Sequence, residues 1–175
     1  FVRALRLAVA EVDAGSQGLL TTAAQRDHVR KQLEEAIAAG AEPIVGGLPP
    51  DAEQLRFPPT VLRIEKDAAP MSVMEDETFG PLLTLSVVAD VAEAIEKTNA
   101  SRYALSTSIW TREVEAAMAH VPALRSGVVT INNHGFTGAL PAAPWTGTGD
   151  TGYGITNSAH CLSSLSRVRF VLEDF

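Results

Sequence analysis

The amino-acid sequence predicts an α/β fold: a mostly parallel sheet with crossover helices, followed by an edge strand close to the C-terminus. Three observations carry that prediction. From Pro81 onward the pattern alternates strand, helix, strand, helix, strand with short links, as in a parallel sheet with right-handed crossovers. The last of these strands, Gly127–Ile131, is rich in β-branched residues, which suit a pleated, half-buried surface. Arg167–Leu172 alternates polar and apolar positions like a half-exposed strand.

Composition sets the bounds. The chain has 175 residues, 46% hydrophobic and 20% charged, which fits a globular domain and not a disordered segment. Burial of about 70% of the unfolded surface is expected at this size. The formal charge is −7, with no basic run or stripe, which argues against nucleic acid or an anionic membrane as a partner. Apolar runs fall far short of the ~20 residues that a membrane helix needs. The single Cys161 cannot form an internal disulfide, so a reducing, cytoplasmic setting is the simpler expectation. No stretch reads as a signal peptide. The chain opens at Phe1, without Met and inside a helical pattern, and is read as a fragment of a larger protein.

Taken in order, Phe1, Leu5, Val9 and Val12 share one helical face, and Gly15-Ser16-Gln17-Gly18 breaks that helix. Thr22 followed by Gln25 is a capping-box pattern. Val29, Leu33 and Ile37 continue at helical spacing, and Gly40 stands where a C′ glycine would end the helix. Pro43–Gly47 reads as a short buried strand, and Pro58-Pro59 leads into the extended run Thr60–Ile64. Leu82–Val88 is a strand. Asp90 caps a helix ending near Asn99, Leu105–Trp110 is a strand and Glu113–Val121 a helix. The links are too short to separate domains.

Beyond Asn133 periodicity is lost. His134–Gly154 contains six glycines, and loops of that length in a compact domain are more often functional than not. Ser158–Leu165 fits a short helix. The edge strand Arg167–Leu172 needs a partner, which another subunit could supply.

Four stretches together resemble the aldehyde dehydrogenase superfamily. Glu77-Thr78-Phe79-Gly80-Pro81 is similar to its E-x-F-G-P motif. Asn99-Ala-Ser-Arg-Tyr103-Ala-Leu105-Ser-Thr-Ser-Ile-Trp110-Thr111-Arg112 is similar to N-x-x-x-Y-G-L-x-x-x-V-W-T-R. Gly127-Val-Val-Thr-Ile131-Asn132 is similar to G-x-V-x-I-N, and Pro144-Trp-Thr-Gly147-Thr-Gly-Asp-Thr151-Gly152-Tyr-Gly154 to P-F-G-G-x-K-x-S-G-x-G. Upstream, Gly40-Ala41, Gly46-Gly47 and Pro59-Thr60-Val61-Leu62 resemble the family's GA, GG and PTVL elements. The resemblance runs from about Leu19 to Phe170. The sequence departs from it at Thr146 and Ala104, where the family usually has Gly, and at Gly149, where it usually has Lys.

The resemblance implies the fold of an aldehyde dehydrogenase catalytic domain. Residues 1–165 would be the C-terminal portion of that domain and 166–175 a strand of oligomerisation type, making a homo-dimer or tetramer. It also implies NAD or NADP as cofactor and a small-molecule aldehyde as substrate. Glu77 would hold the nicotinamide ribose, its two oxygens accepting from vicinal hydroxyls, with Phe79 packed beside it. His134, Phe136 and Trp145 would line the substrate tunnel. On residue type alone, Glu77 could equally be a solvated loop carboxylate and Trp145 a core side chain. In the family a cysteine thiolate adds to the aldehyde, hydride passes to the nicotinamide ring, and water hydrolyses the thioester with carboxylate help. The nucleophilic cysteine, the general-base glutamate and the dinucleotide-binding domain would all lie outside this chain.

Other motifs point elsewhere or nowhere. Gly147-x-Gly149-x-x-Gly152 has the letters of a dinucleotide fingerprint but follows a loop where that fingerprint needs a strand. Cys161 is expected to be a packing residue, since adjacent His160 would point elsewhere on a helix. His28, His120, His134 and His160 show no metal-ligand spacing. Two readings compete with the oxidising enzyme: a detached module for oligomerisation or regulation, and a CoA-acylating member of the same superfamily.

Overall fold

A computed structural model describes residues 1–12, 18–51, 53–135 and 140–174. Their contacts divide the chain into two compact units, Phe1–Val88 and Ala89–Phe175.

The first unit opens with helix α1 (Val2–Ala10), none of whose residues is buried. Its apolar face is covered only in part: Leu5 and Val9 are half-buried, whereas Phe1 is 84% exposed. Of the break expected over Gly15–Gly18, Gly15, Ser16 and Gln17 lie outside the described residues, and Gly18 is in neither helix nor strand. Helix α2 (Ala23–Ala38) starts as the capping box foretells, the Thr22 hydroxyl accepting from the Gln25 amide at 3.1 Å. The Gln25 side chain does not return to Thr22; it reaches a different loop, described below. At the other end Gly40, at φ +98°, donates to the Ile37 carbonyl and Ala41 donates to that of Ala36. That pairing is a Schellman motif and satisfies two orphan carbonyls. Val29, Leu33 and Ala36 are fully buried, whereas Ile37 is 36% exposed, because the covered stripe turns toward Ala36. Thr22→Ala removes the one side-chain acceptor at this end, and a loss of about 1 kcal/mol is expected in urea unfolding.

Strand β1 (Glu42–Val45) pairs antiparallel with β2 (Thr60–Ile64). The short helix α3 (Ser72–Glu75) then leads to β3 (Leu82–Ser86), which runs parallel to β2. The sheet order β1-β2-β3 puts β2 in the centre, where every residue but Arg63 is buried. The expected burial of Pro43–Gly47 is corrected: β1 is an edge strand with Glu42 and Pro43 exposed, a place that tolerates a residue lacking an N–H. Val29, Leu33 and Ala36 of α2 join Phe57, Leu62, Ile64, Met71 and Val73 in the core.

The second unit begins with α4 (Val91–Ala100), capped by Asp90, whose carboxylate accepts from the Glu93 amide at 2.9 Å. The Glu93 carboxylate accepts in return from the Ala89 amide at 2.7 Å. Strands β4 (Tyr103–Ala104) and β5 (Ser106–Ile109) follow, then α5 (Val114–His120) and β6 (Val128–Ile131). β5 and β6 are parallel and joined through α5, as the alternation predicts. Each unit thus holds one parallel pair, β2–β3 in the first and β5–β6 in the second. Strand β7 (Thr148–Gly149) folds back antiparallel on β4, and α6 (Ser158–Ser164) is the short helix expected there.

Residues 167–174 form neither helix nor strand, and Val168, Phe170 and Leu172 are 104%, 84% and 81% exposed. The edge strand predicted there is thus not formed in this chain. Strand geometry needs a hydrogen-bonding neighbour, and none is present among the described residues.

Candidate functional site

Glu77 and Phe79 sit on the six-residue run, 76–81, between α3 and β3. The run is fixed at its far end by the Thr60 amide, which donates to the Pro81 carbonyl at 2.8 Å. Three residues of α2 at i, i+3 and i+4 spacing hold the rest. The Gln25 side-chain amide donates to the carbonyls of Thr78 (2.7 Å) and Phe79 (3.0 Å), and His28 Nε2 lies 3.1 Å from the Glu77 carbonyl. Val29 packs so close to Gly80 that a Cβ there would lie 2.7 Å from Val29 Cγ2. Phe79 adopts φ +50°, rare for a residue with a side chain. Phe79 is 77% exposed. The Glu77 side chain is also exposed and has no hydrogen-bond or ion-pair partner among the described residues. Behind both stands the parallel pair β2–β3. An exposed carboxylate two residues from an exposed aromatic ring, on a backbone tied at four points, can accept from a sugar diol and pack against a flat ring.

The second cluster of sequence candidates lies around the end of β6. Asn132, at φ +52°, accepts from the Thr111 amide and donates to the Thr111 carbonyl, both at 2.8 Å. Its side chain thereby extends the β5–β6 pairing past the last strand residue. Ser108 and Thr130 share a hydroxyl contact of 2.9 Å, and Thr130 donates to the Asn133 carbonyl at 2.7 Å. His134 is exposed, its Nδ1 3.5 Å from the Ser108 hydroxyl. Phe136 lies outside the described residues. Trp145 is half-buried and exchanges backbone hydrogen bonds with Thr156, at 2.8 and 2.9 Å. No hydrogen bond joins His134 to Trp145 among the described residues.

The glycine-rich loop is an anchored structure. The Ala104 amide donates to the Thr151 hydroxyl at 2.9 Å, and the Asp150 amide to the Arg102 carbonyl at 2.9 Å. Gly149 has φ +60°, and a Cβ on it would lie 2.4 Å from the Arg102 carbonyl oxygen. The lysine common at this place in the family would not fit this backbone. No helix opens at Gly152, since α6 begins at Ser158, so the loop lacks the helix that a phosphate cradle requires. Cys161 is a half-buried free thiol on α6, and among the described residues no cluster of His, Cys, Asp or Glu could hold a metal. Nor is any described helix long and apolar enough to cross a membrane.

A concave, largely apolar pocket of about 570 Å³ opens between α4, β5 and α5, lined among others by Ile95, Trp110, Ala117 and His120. Neither His134 nor Trp145 lines it. Sequence reasoning missed Gln25, His28, Asn132 and Thr151 as supports. For the first two a signal existed, since they share with Val29 one face of a helix that was correctly predicted.

A family model described as the aldehyde dehydrogenase family matches residues 1–171. A succinate-semialdehyde dehydrogenase (NADP(+)) of Mycobacterium avium is 34% identical over 154 residues, covering 87% of this chain and 32% of that protein. The solved structure of a lactaldehyde dehydrogenase superposes with a TM-score of 0.83 at 29% identity, over 94% of this chain and 35% of the other. An aldehyde dehydrogenase from Bacillus cereus in complex with NAD+ superposes with a TM-score of 0.80 at 27% identity, over 92% and 33%. The chain thus spans about a third of the length of the relatives it matches.

Proposed function

The chain belongs to the aldehyde dehydrogenase family, and from that premise we propose that it is the C-terminal portion of a catalytic domain that oxidises an aldehyde to a carboxylic acid with NAD or NADP. The observation that carries the proposal is the run Glu77–Gly80, tied down by α2 and β2 while its carboxylate and ring stay free. Glu77 would accept from the ribose hydroxyls next to the nicotinamide, and Phe79 would pack against the same end of the cofactor. The cofactor, when bound, supplies the hydride acceptor. His134, Phe136 and Trp145 would border the aldehyde's path, with the anchored glycine loop fixing where Trp145 stands.

No group in this chain is assigned as nucleophile or general base; both would come from the rest of the polypeptide, with the dinucleotide-binding domain. Positioning of the nicotinamide against the reacting carbon is what this segment contributes. Residues 1–165 are the catalytic-domain portion in this reading. Exposed Val168, Phe170, Val171 and Leu172 favour strand addition of the C-terminal stretch to a neighbouring subunit, in a homo-oligomer located in the cytoplasm. Relatives named for succinate semialdehyde and NADP make that pair the first to assay.

The test is direct. These 175 residues, purified alone, are expected to produce no NAD(P)H from succinate semialdehyde or any other aldehyde. The complete polypeptide is expected to produce it, and to lose it when its cysteine is alkylated. Turnover by the isolated chain would overturn the assignment of the chemistry to other segments, and inactivity of the complete polypeptide would overturn the function itself.

A further inference from the structure

We infer that Gln25 and His28 are positioning residues that set the conformation of the Glu77–Phe79 loop; the inference rests on the ribose-binding reading of that loop. Consecutive carbonyls in extended chain point to opposite sides. Here the carbonyls of Glu77, Thr78 and Phe79 all turn to one helix, within 3.1, 2.7 and 3.0 Å of two side chains one turn apart. The backbone can do this because it curls through the left-handed region at Phe79, φ +50°. That conformation is sparsely populated for a residue with a side chain and persists only where the surroundings hold it.

The donors match the task. A side-chain amide has two N–H groups, and Gln25 directs both at this loop. A carbonyl can only accept, so His28 must carry its proton on Nε2 to complete the set. Gly80 closes the fit: a Cβ there would press on Val29 at 2.7 Å, so the loop lies directly against α2. While three of its carbonyls are held by the helix, the side chains of Glu77 and Phe79 stay exposed. Neither Gln25 nor His28 needs to touch a cofactor to govern how it is held.

The experiment is a double-mutant cycle in the complete enzyme. Gln25→Met keeps length and removes both donors, and is expected to raise the KM for NAD(P)+ roughly tenfold with kcat little changed. His28→Phe should act in the same direction, and His28→Gln, which keeps a donor, should restore near-normal KM. In a Glu77→Gln background the Gln25→Met effect should vanish, because the residue acts through Glu77. An unchanged KM with only a lower melting temperature would overturn the inference, as would a full tenfold effect persisting in the Glu77→Gln background. If Glu77→Gln itself leaves cofactor KM untouched, the ribose reading falls instead. Backbone NMR of Phe79 in the present chain then tests the inference alone: Gln25→Met should move its carbonyl shift and its φ-dependent amide–Hα coupling away from the left-handed value while leaving Leu33 unaffected, and an unaltered spectrum of Phe79 would refute it.

Discussion

Glu77→Gln is expected to raise the KM for NAD(P)+ of the complete enzyme roughly ten- to a hundredfold, the loss of one hydrogen bond to a charged acceptor being about 1.5–3 kcal/mol. The substitution is nearly isosteric and the side chain is exposed, with no partner among the described residues, so folding should not change. The effect therefore separates function from stability. A carboxylate offers acceptors on both oxygens, whereas the amide offers one oxygen and turns two N–H groups toward whatever the other had faced. Steady-state kinetics with the cofactor varied, alongside a melting curve, gives the answer. An unshifted KM with an unshifted melting temperature would show Glu77 to be the solvated carboxylate that its residue type alone suggests.

Gly127→Ala is expected to be the most damaging small substitution in the second unit. An added Cβ would lie 2.1 Å from the Thr146 carbonyl oxygen and 2.6 Å from its carbonyl carbon. Both are backbone atoms, which cannot swing aside as a side-chain tip can. The glycine loop must shift, or β6 must. A cost of about 1–3 kcal/mol is expected from such overpacking, read as a drop in the urea midpoint. Because Thr146 adjoins Trp145, the same substitution should raise the aldehyde KM of the complete enzyme while leaving cofactor KM close to normal. Unaltered stability would mean that the loop does not lie against β6.

What could be read from the sequence was local. The Thr22 cap, the Gly40 terminus, the Asp90 cap and the strand Thr60–Ile64 are each written in a few neighbouring residues, and all form as expected. What could not be read was pairing. β3 looks like any strand of a βαβ series, and nothing in Leu82–Ser86 says that it runs parallel beside β2. Arg167–Leu172 has a strand's pattern but no neighbour here to make it one. β4 and β7 are two residues each, too short for periodicity to register. The site divides the same way. The Glu77–Pro81 motif is local and stands out, whereas its grip by Gln25 and His28 joins positions about fifty residues apart.

Gly149 carries a consequence for how this sequence can drift. With any Cβ at this position falling 2.4 Å from the Arg102 carbonyl oxygen, no single replacement at 149 is free of collision. The Arg102–Ala104 turn would have to be recast first, or at the same time. Placing lysine at 149 alone should prove deleterious in this background, whatever it contributes in a relative.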